Sequence, residues 1–344
     1  MGIYNKLRRL PKVELHLHLD GSVRGETMWE LLAASGEEVP FDNYGDFEKI
    51  IGIKGKCSSL KEYLESFQYP IKIMQTKDNL IRISRELMED LAKDGVIYAE
   101  VRFAPYFHQE KGLTIEEVIE AVLEGLSQGE KMYGVRSRLI LCAMRGFPED
   151  KNMDLIKRGT KFLNSGVAAA DLAGNEHDFP PEESKEVFEV AKKSGYHVTI
   201  HAGETGKEEN IEKSINITGA ERIGHGVFAY KNPDIISLIK DKNIFLEMCP
   251  TSNVNTNAVN SIEEHPIRQY FLQGIKVTVS TDNRTVSRIS LTEEMNKLIK
   301  EAGFTLEDVA ILTRYAAEGA FCDESTRLWI ISKIEDWSRN EGIS

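Results

Sequence analysis

The chain has 344 residues, 41% of them hydrophobic, and carries a formal net charge of -12. That is enough apolar material for one large α/β core, and the negative sign argues against a nucleic-acid or anionic-membrane surface, which would repel it. Cys57, Cys142, Cys249 and Cys322 show no paired spacing, which suits reduced core thiols better than a disulfide framework or a cysteine zinc site.

In chain order, Arg8 and Arg9 are not followed by an apolar export segment, and no later window reads as a membrane span, so a cytoplasmic location is expected. The first predicted strand, Val13 to His18, ends in Glu-Leu-His-Leu-His. Alternate strand residues share a face, so His16 and His18 point together and Leu17 points away. Residues 19–95 are too many for a plain crossover and predict an extra helical excursion at the barrel mouth. Within it Leu60, Tyr63, Leu64 and Phe67 fall at i, i+3, i+4 and i+7, one apolar helical face that packs on the barrel or covers a ligand.

Further strands are predicted at Val96 to Phe103, Ser137 to Met144, Val167 to Leu172, His197 to His201, Glu221 to His225, Ile244 to Met248 and Ile275 to Thr281. Helical patterns lie between them, including 114–133, opened by Thr114 and Glu117 in capping-box spacing, and 182–194, ended by Gly195. Three more, at 292–301, 305–321 and 324–340, brace the outer ring. Eight β-α alternations predict a (β/α)8 barrel of the TIM type, with residues 1–344 as one domain. A doubly wound sheet binds at one switch point, whereas here polar motifs follow nearly every strand.

Those motifs carry the chemistry. His16, His18, His201, His225 and Asp282 all close β-like runs, and a parallel barrel gathers its strand ends around one mouth. Imidazoles with one carboxylate suit zinc, which activates a bound water. Five groups are too many for one four-coordinate zinc that also holds water, so at least one serves the water, and His225 is the candidate. Glu204, three residues beyond His201 with Gly203 allowing a bend, is placed to deliver a proton. His108, His177, His197 and His265 lie outside the strand-end pattern and read as structural.

In order along nearly the whole chain stand His16-Leu-His-Leu-Asp-Gly, Glu100-Val-Arg-Phe-Ala-Pro, Asp171-Leu-Ala-Gly-Asn-Glu, His201-Ala-Gly-Glu, Arg222-Ile-Gly-His-Gly, Cys249-Pro-Thr-Ser-Asn and Ser280-Thr-Asp-Asn. This set resembles the adenosine deaminase family. The resemblance implies that His16, His18, His201 and Asp282 ligate zinc, that Glu204 protonates purine N1, and that His225 with Asp282 manages the attacking hydroxide. It also implies that Gly174 offers its N–H to N3, that Asp20 meets the ribose 5′-hydroxyl, and that His18, Leu64 and Phe67 face the nucleoside. Two-metal relatives close the fourth strand with a bridging lysine; Val167-Ala-Ala-Ala-Asp-Leu-Ala-Gly has none, so one zinc per chain is expected. Asn283 stands where many members carry a second Asp, and its amide can donate to purine N7; whether Arg284 reaches an anionic group is left open.

The expected reaction is hydrolytic deamination of adenosine and 2′-deoxyadenosine, a small-molecule purine nucleoside being the partner. Adenine, aminodeoxyfutalosine and N6-methyl-AMP are the competing substrates, and a catalytically silent nucleoside-binding barrel is the competing class. The sequence leaves the oligomeric state open.

Overall fold

The structure, a computed structural model, describes residues 2–36, 41–53, 55–57, 63 and 66–343. Its strands are β1 (Lys12–His18), β2 (Val96–Phe103), β3 (Arg136–Met144), β4 (Val167–Ala173), β5 (His197–Ala202), β6 (Arg222–His225), β7 (Phe245–Met248) and β8 (Val277–Val279). They pair in chain order, every pair parallel, and a parallel bridge between Leu17 and Asp282 joins the last strand's end back to β1. This is the expected (β/α)8 barrel, its helices packing apolar faces such as Leu80, Ile83 and Leu87 on the strands' outer side chains. Among the described residues no helix is long and apolar enough to cross a membrane.

Local capping explains several helix boundaries. Thr114 and Glu117 form the expected capping box before Ile115–Tyr133, and Ser290 with Glu293 and Thr305 with Asp308 do the same before Leu291–Glu301 and Leu306–Gly319. The pattern at 182–194 starts differently, as a 3-10 turn Pro181–Ser184 followed by the helix Lys185–Ser194, because Pro180 and Pro181 fix the entry. The excursion at 19–95 carries the helices Gly25–Ser35, Tyr44–Glu48 and Gln68–Ile73 before the barrel helix Lys77–Lys93.

Two departures from simple strand alternation shape the mouth. Glu14 pairs with Ala99 and Leu17 with Val101, three steps against two, so β1 bulges across Leu15 and His16, which re-aims the side chains there. The eighth strand is shorter than the expected Ile275 to Thr281. Beyond Val279 the chain leaves the regular ladder: the His16 N–H donates to Ser280 Oγ, Asp282 N–H to His16 O, and His18 N–H to Asp282 O.

The barrel interior is charged. Arg222 joins Glu100 and Glu247 at 2.5 Å each, and Arg102 joins Glu247 at 2.7 Å and Asp171 at 3.0 Å. All five side chains are buried, so each charge must be met by a partner inside the barrel.

Candidate active site and metal centre

The upper end of that ionic layer sets the histidine tautomers. His16 Nδ1 lies 2.8 Å from Glu247 Oε2, and His201 Nδ1 lies 2.9 Å from Asp171 Oδ2. A carboxylate only accepts, so each ring gives a proton to the carboxylate side; His16, neutral through burial, turns a bare Nε2 to the mouth, whereas despite burial the Asp171 carboxylate raises His201 above the ordinary imidazole value. Despite burial, Arg102 and Arg222 hold Glu247 down at about 2, and His201 and Arg102 hold Asp171 below the usual carboxylate range. Burial keeps His16 and His18 well below the ordinary imidazole value, so both are neutral donors.

Those nitrogens converge. His18 Nε2 is 3.2 Å from His201 Nε2 and 3.4 Å from Asp282 Oδ1, and His16 Nε2 is 3.6 Å from the same oxygen. Zinc bonds of about 2.0–2.1 Å give tetrahedral edges of about 3.3–3.4 Å. His16 Nε2 is buried with no hydrogen-bond partner, and an orphaned lone pair beside two further imidazoles and a carboxylate is what a cation satisfies. The donor set therefore fits a divalent metal. Cys249 also comes within 4.8 Å of His16 and Asp282, which the sequence reading as a plain core thiol missed. Burial pushes its thiol well above the ordinary value.

Beside this set sits Glu204. Gly203 turns the chain at φ 71°, where a Cβ would stand 2.5 Å from Ile211. The Glu176 carboxylate then accepts from the N–H groups of Gly203, Glu204 and Thr205 at 2.5, 3.0 and 3.2 Å. Glu204 Oε1 accepts from Thr256 Oγ1 at 3.0 Å, and burial raises its carboxyl above the ordinary value. His225 Nε2 lies 3.6 Å from Glu204 Oε2, and burial brings this ring down to about 4. His225 and Asp282 both adopt left-handed backbone, φ 65° and 61°, unfavourable for such residues and typical of functional positions held by their surroundings. Ser252 Oγ donates to Asp282 Oδ2 at 2.6 Å.

One cavity collects these groups. His18, His201, Glu204, His225 and Asp282 form its polar end, and Ala104, Phe107, Cys142, Met144 and Ala173 its apolar wall. Asp20, Gly174, Asn283 and Phe67 line it as expected. Asp20 also orders its own turn, accepting from Gly21 N–H, and burial lifts its carboxyl to about 6. Gly174 has φ 102°, so backbone conformation alone already demands glycine there. Asn283 donates from Nδ2 to Tyr63 Oη at 3.0 Å, while Oδ1 is buried without a partner. Leu60 and Leu64 lie outside the described residues. Tyr63 is helical, but Phe67 stands in the turn before Gln68–Ile73, so the expected stripe is not one helix face at that point. Arg284 is not among the cavity's lining residues and pairs with Asp94 at 3.0 Å.

Of the histidines read as structural, exposed His197 stacks on Phe321 and bonds Glu221, His108 stacks on Phe103, and the His177 N–H donates to Asn175. His265 is buried with both ring nitrogens bonded, to Ile267 N–H and to Asn253, and Asn253 in turn touches both His225 and Glu204. The sequence reading gave no role to Asp171, Glu176, Glu247, Asn253 or Thr256. The signal for Asp171 and Glu247 was a charge inside an otherwise apolar strand.

An adenosine deaminase family model matches residues 11–337. The chain is 46% identical over 335 residues to an adenosine deaminase of Clostridium acetobutylicum, covering 97% of this chain and 100% of that one. Among solved structures, an amidohydrolase of Burkholderia ambifaria with bound Zn superposes with TM-score 0.90 at 23% identity, covering 99% and 96% of the two chains. The N6-methyl-AMP deaminase of Arabidopsis thaliana gives 0.87 at 26%, covering 98% and 99%. With a matching model across nearly its full length and a relative this similar, the chain belongs to the adenosine deaminase family.

Proposed function

We propose that this chain, acting as one domain over residues 1–344, hydrolyses adenosine and 2′-deoxyadenosine to inosine, 2′-deoxyinosine and ammonia, with one zinc held by His16, His18, His201 and Asp282. The observation that carries this reading is the convergence of imidazole nitrogens and Asp282 beside Glu204, whose carboxyl burial raises above the ordinary value, at one end of a cavity. A divalent ion there supplies Lewis acidity that brings the pKa of water down to about 7.

The chain's own groups do the rest. Adding oxygen to C6 breaks the aromaticity of the purine, so N1 must gain a proton; Glu204 donates it. Asp282 takes the proton of the incoming water and His225 orients the oxygen; Asp282 then passes that proton to the C6 amino group, the C6–N bond breaks to release ammonia, and loss of the remaining hydroxyl proton forms the carbonyl and regenerates the Glu204 acid. Gly174 N–H meets N3, and the remaining amide hydrogen of Asn283 meets N7. His18 borders the base, Asp20 binds the 5′-hydroxyl, and Leu64 and Phe67 cover the ligand.

The cavity's chemistry selects a nucleoside over a nucleotide. No lysine or arginine lines it among the described residues, and Asp20 is acidic and buried. A 5′-phosphate would meet a like charge without a counter-ion, costing several kcal/mol. A panel of adenosine, 2′-deoxyadenosine, adenine, AMP and N6-methyl-AMP, followed by ammonia release, tests this. Adenosine is expected to exceed AMP by about 10²-fold or more in kcat/KM. AMP or adenine outrunning adenosine would overturn the substrate assignment.

A further inference from the structure

The relay behind His225 begins at a backbone amide. Ile267 N–H donates to His265 Nδ1 at 3.2 Å, and a main-chain donor cannot reverse its role. Burial pushes His265 down to about 3, so the ring carries one proton, and that proton sits on Nε2. His265 Nε2 faces Asn253 Oδ1 at 3.1 Å. The carboxamide is thereby oriented, with Nδ2 directed at His225 Nδ1 at 3.0 Å and at Glu204 Oε1 at 3.4 Å. Interchanging its oxygen and nitrogen would set donor against donor at His265. His265, Asn253 and His225 are 3%, 0% and 1% exposed, so bulk water does not compete for these bonds.

We propose that His265 is a positioning residue: through Asn253 it fixes His225 in the tautomer whose proton lies on Nε2, toward Glu204 and the cavity. The nitrogen a histidine protonates is set by the bond its other nitrogen makes. Here Nδ1 accepts, so Nε2 donates. A neutral His225 then has no lone pair facing the incoming oxygen, and taking the water's proton falls to Asp282. The catalytic consequence rests on the function proposed above; the tautomer does not.

The test uses the metal-loaded protein labelled with 15N-histidine, because ring-nitrogen shifts separate protonated from bare nitrogens. The parent is expected to show His225 protonated on Nε2 alone. His265→Leu removes the donor and should mix the His225 tautomers, lowering kcat about 10- to 100-fold, the usual cost of losing an outer-shell partner, with KM and metal content little changed. His265→Gln, whose Oε1 and Nε2 can replace Nδ1 and Nε2–H, should restore both. A parent His225 protonated on Nδ1 overturns the proposal, whether or not His265→Leu folds. So does a His265→Leu protein with the parent's tautomer and kcat. A tautomer that mixes with kcat unchanged supports the relay and overturns the role given to His225 in deamination.

Discussion

Glu204→Gln should keep its metal and lose most of its turnover, with kcat falling about 10²- to 10⁴-fold, the range general acid catalysis contributes. The glutamine can still accept from Thr256 Oγ1, and the Glu176 carboxylate still anchors the 203–205 backbone, so the loop is expected to stay in place. What disappears is a proton that burial retains on the carboxyl to a higher pH than an ordinary glutamate would. For the same reason the parent's rate should decline as pH rises through that elevated value, since the protonated form is the competent one. His16→Ala provides the contrast. It deletes a bare Nε2 from the converging donor set while Glu247 keeps Arg102, Arg222 and Thr199, so metal and turnover should vanish together without loss of the charged layer. Metal analysis beside steady-state kinetics separates the two, and a Glu204→Gln protein nearly as fast as the parent would refute the acid assignment.

Those two residues were legible in the sequence because strand ends in a parallel barrel converge, so a chemical motif after a β-like run announces its own location. The barrel and the capped helices were readable for a similar reason: their signals are local, a period or a cap within a few residues. The supports were not. Asp171 meets His201 across 30 positions, Glu247 meets His16 across 231, and Glu176 reaches forward to Gly203 across 27. Nothing local in the chain pairs them. The bulge in β1 and the left-handed turn at Asp282 were hidden too, because ordinary residues occupy both places and only barrel closure imposes their geometry. The link from His265 through Asn253 to His225 was hidden by the same limit, since no local pattern pairs the three.

Arg102 concentrates the consequences of that hidden layer. One guanidinium holds Asp171 and Glu247 and donates to Leu15 O at 2.7 Å, fully buried. Arg102→Leu would leave two acceptors short of a counter-ion. Glu247 keeps Arg222 and Thr199, but Asp171 is left with His201 and the weak Cys142 thiol. Removing one partner of a buried pair costs about 3–5 kcal/mol, and loosened carboxylates reduce metal affinity about 10- to 100-fold. Lysine should rescue little, since a point charge cannot reproduce the fork. The sign with pH is opposite in the two proteins. In the parent, Glu247 sits at about 2 against an ordinary 4.5, so its contribution is complete above pH 4.5 and is lost as pH falls toward 2. In Arg102→Leu the stranded carboxylates bind protons more readily when folded, so the gap between variant and parent should narrow on acidification. Denaturant unfolding of both metal-free proteins at pH 7 and pH 5 measures this. Equal stability at pH 7, within about 1 kcal/mol, would show that the guanidinium is not what neutralises the layer beneath the metal ligands.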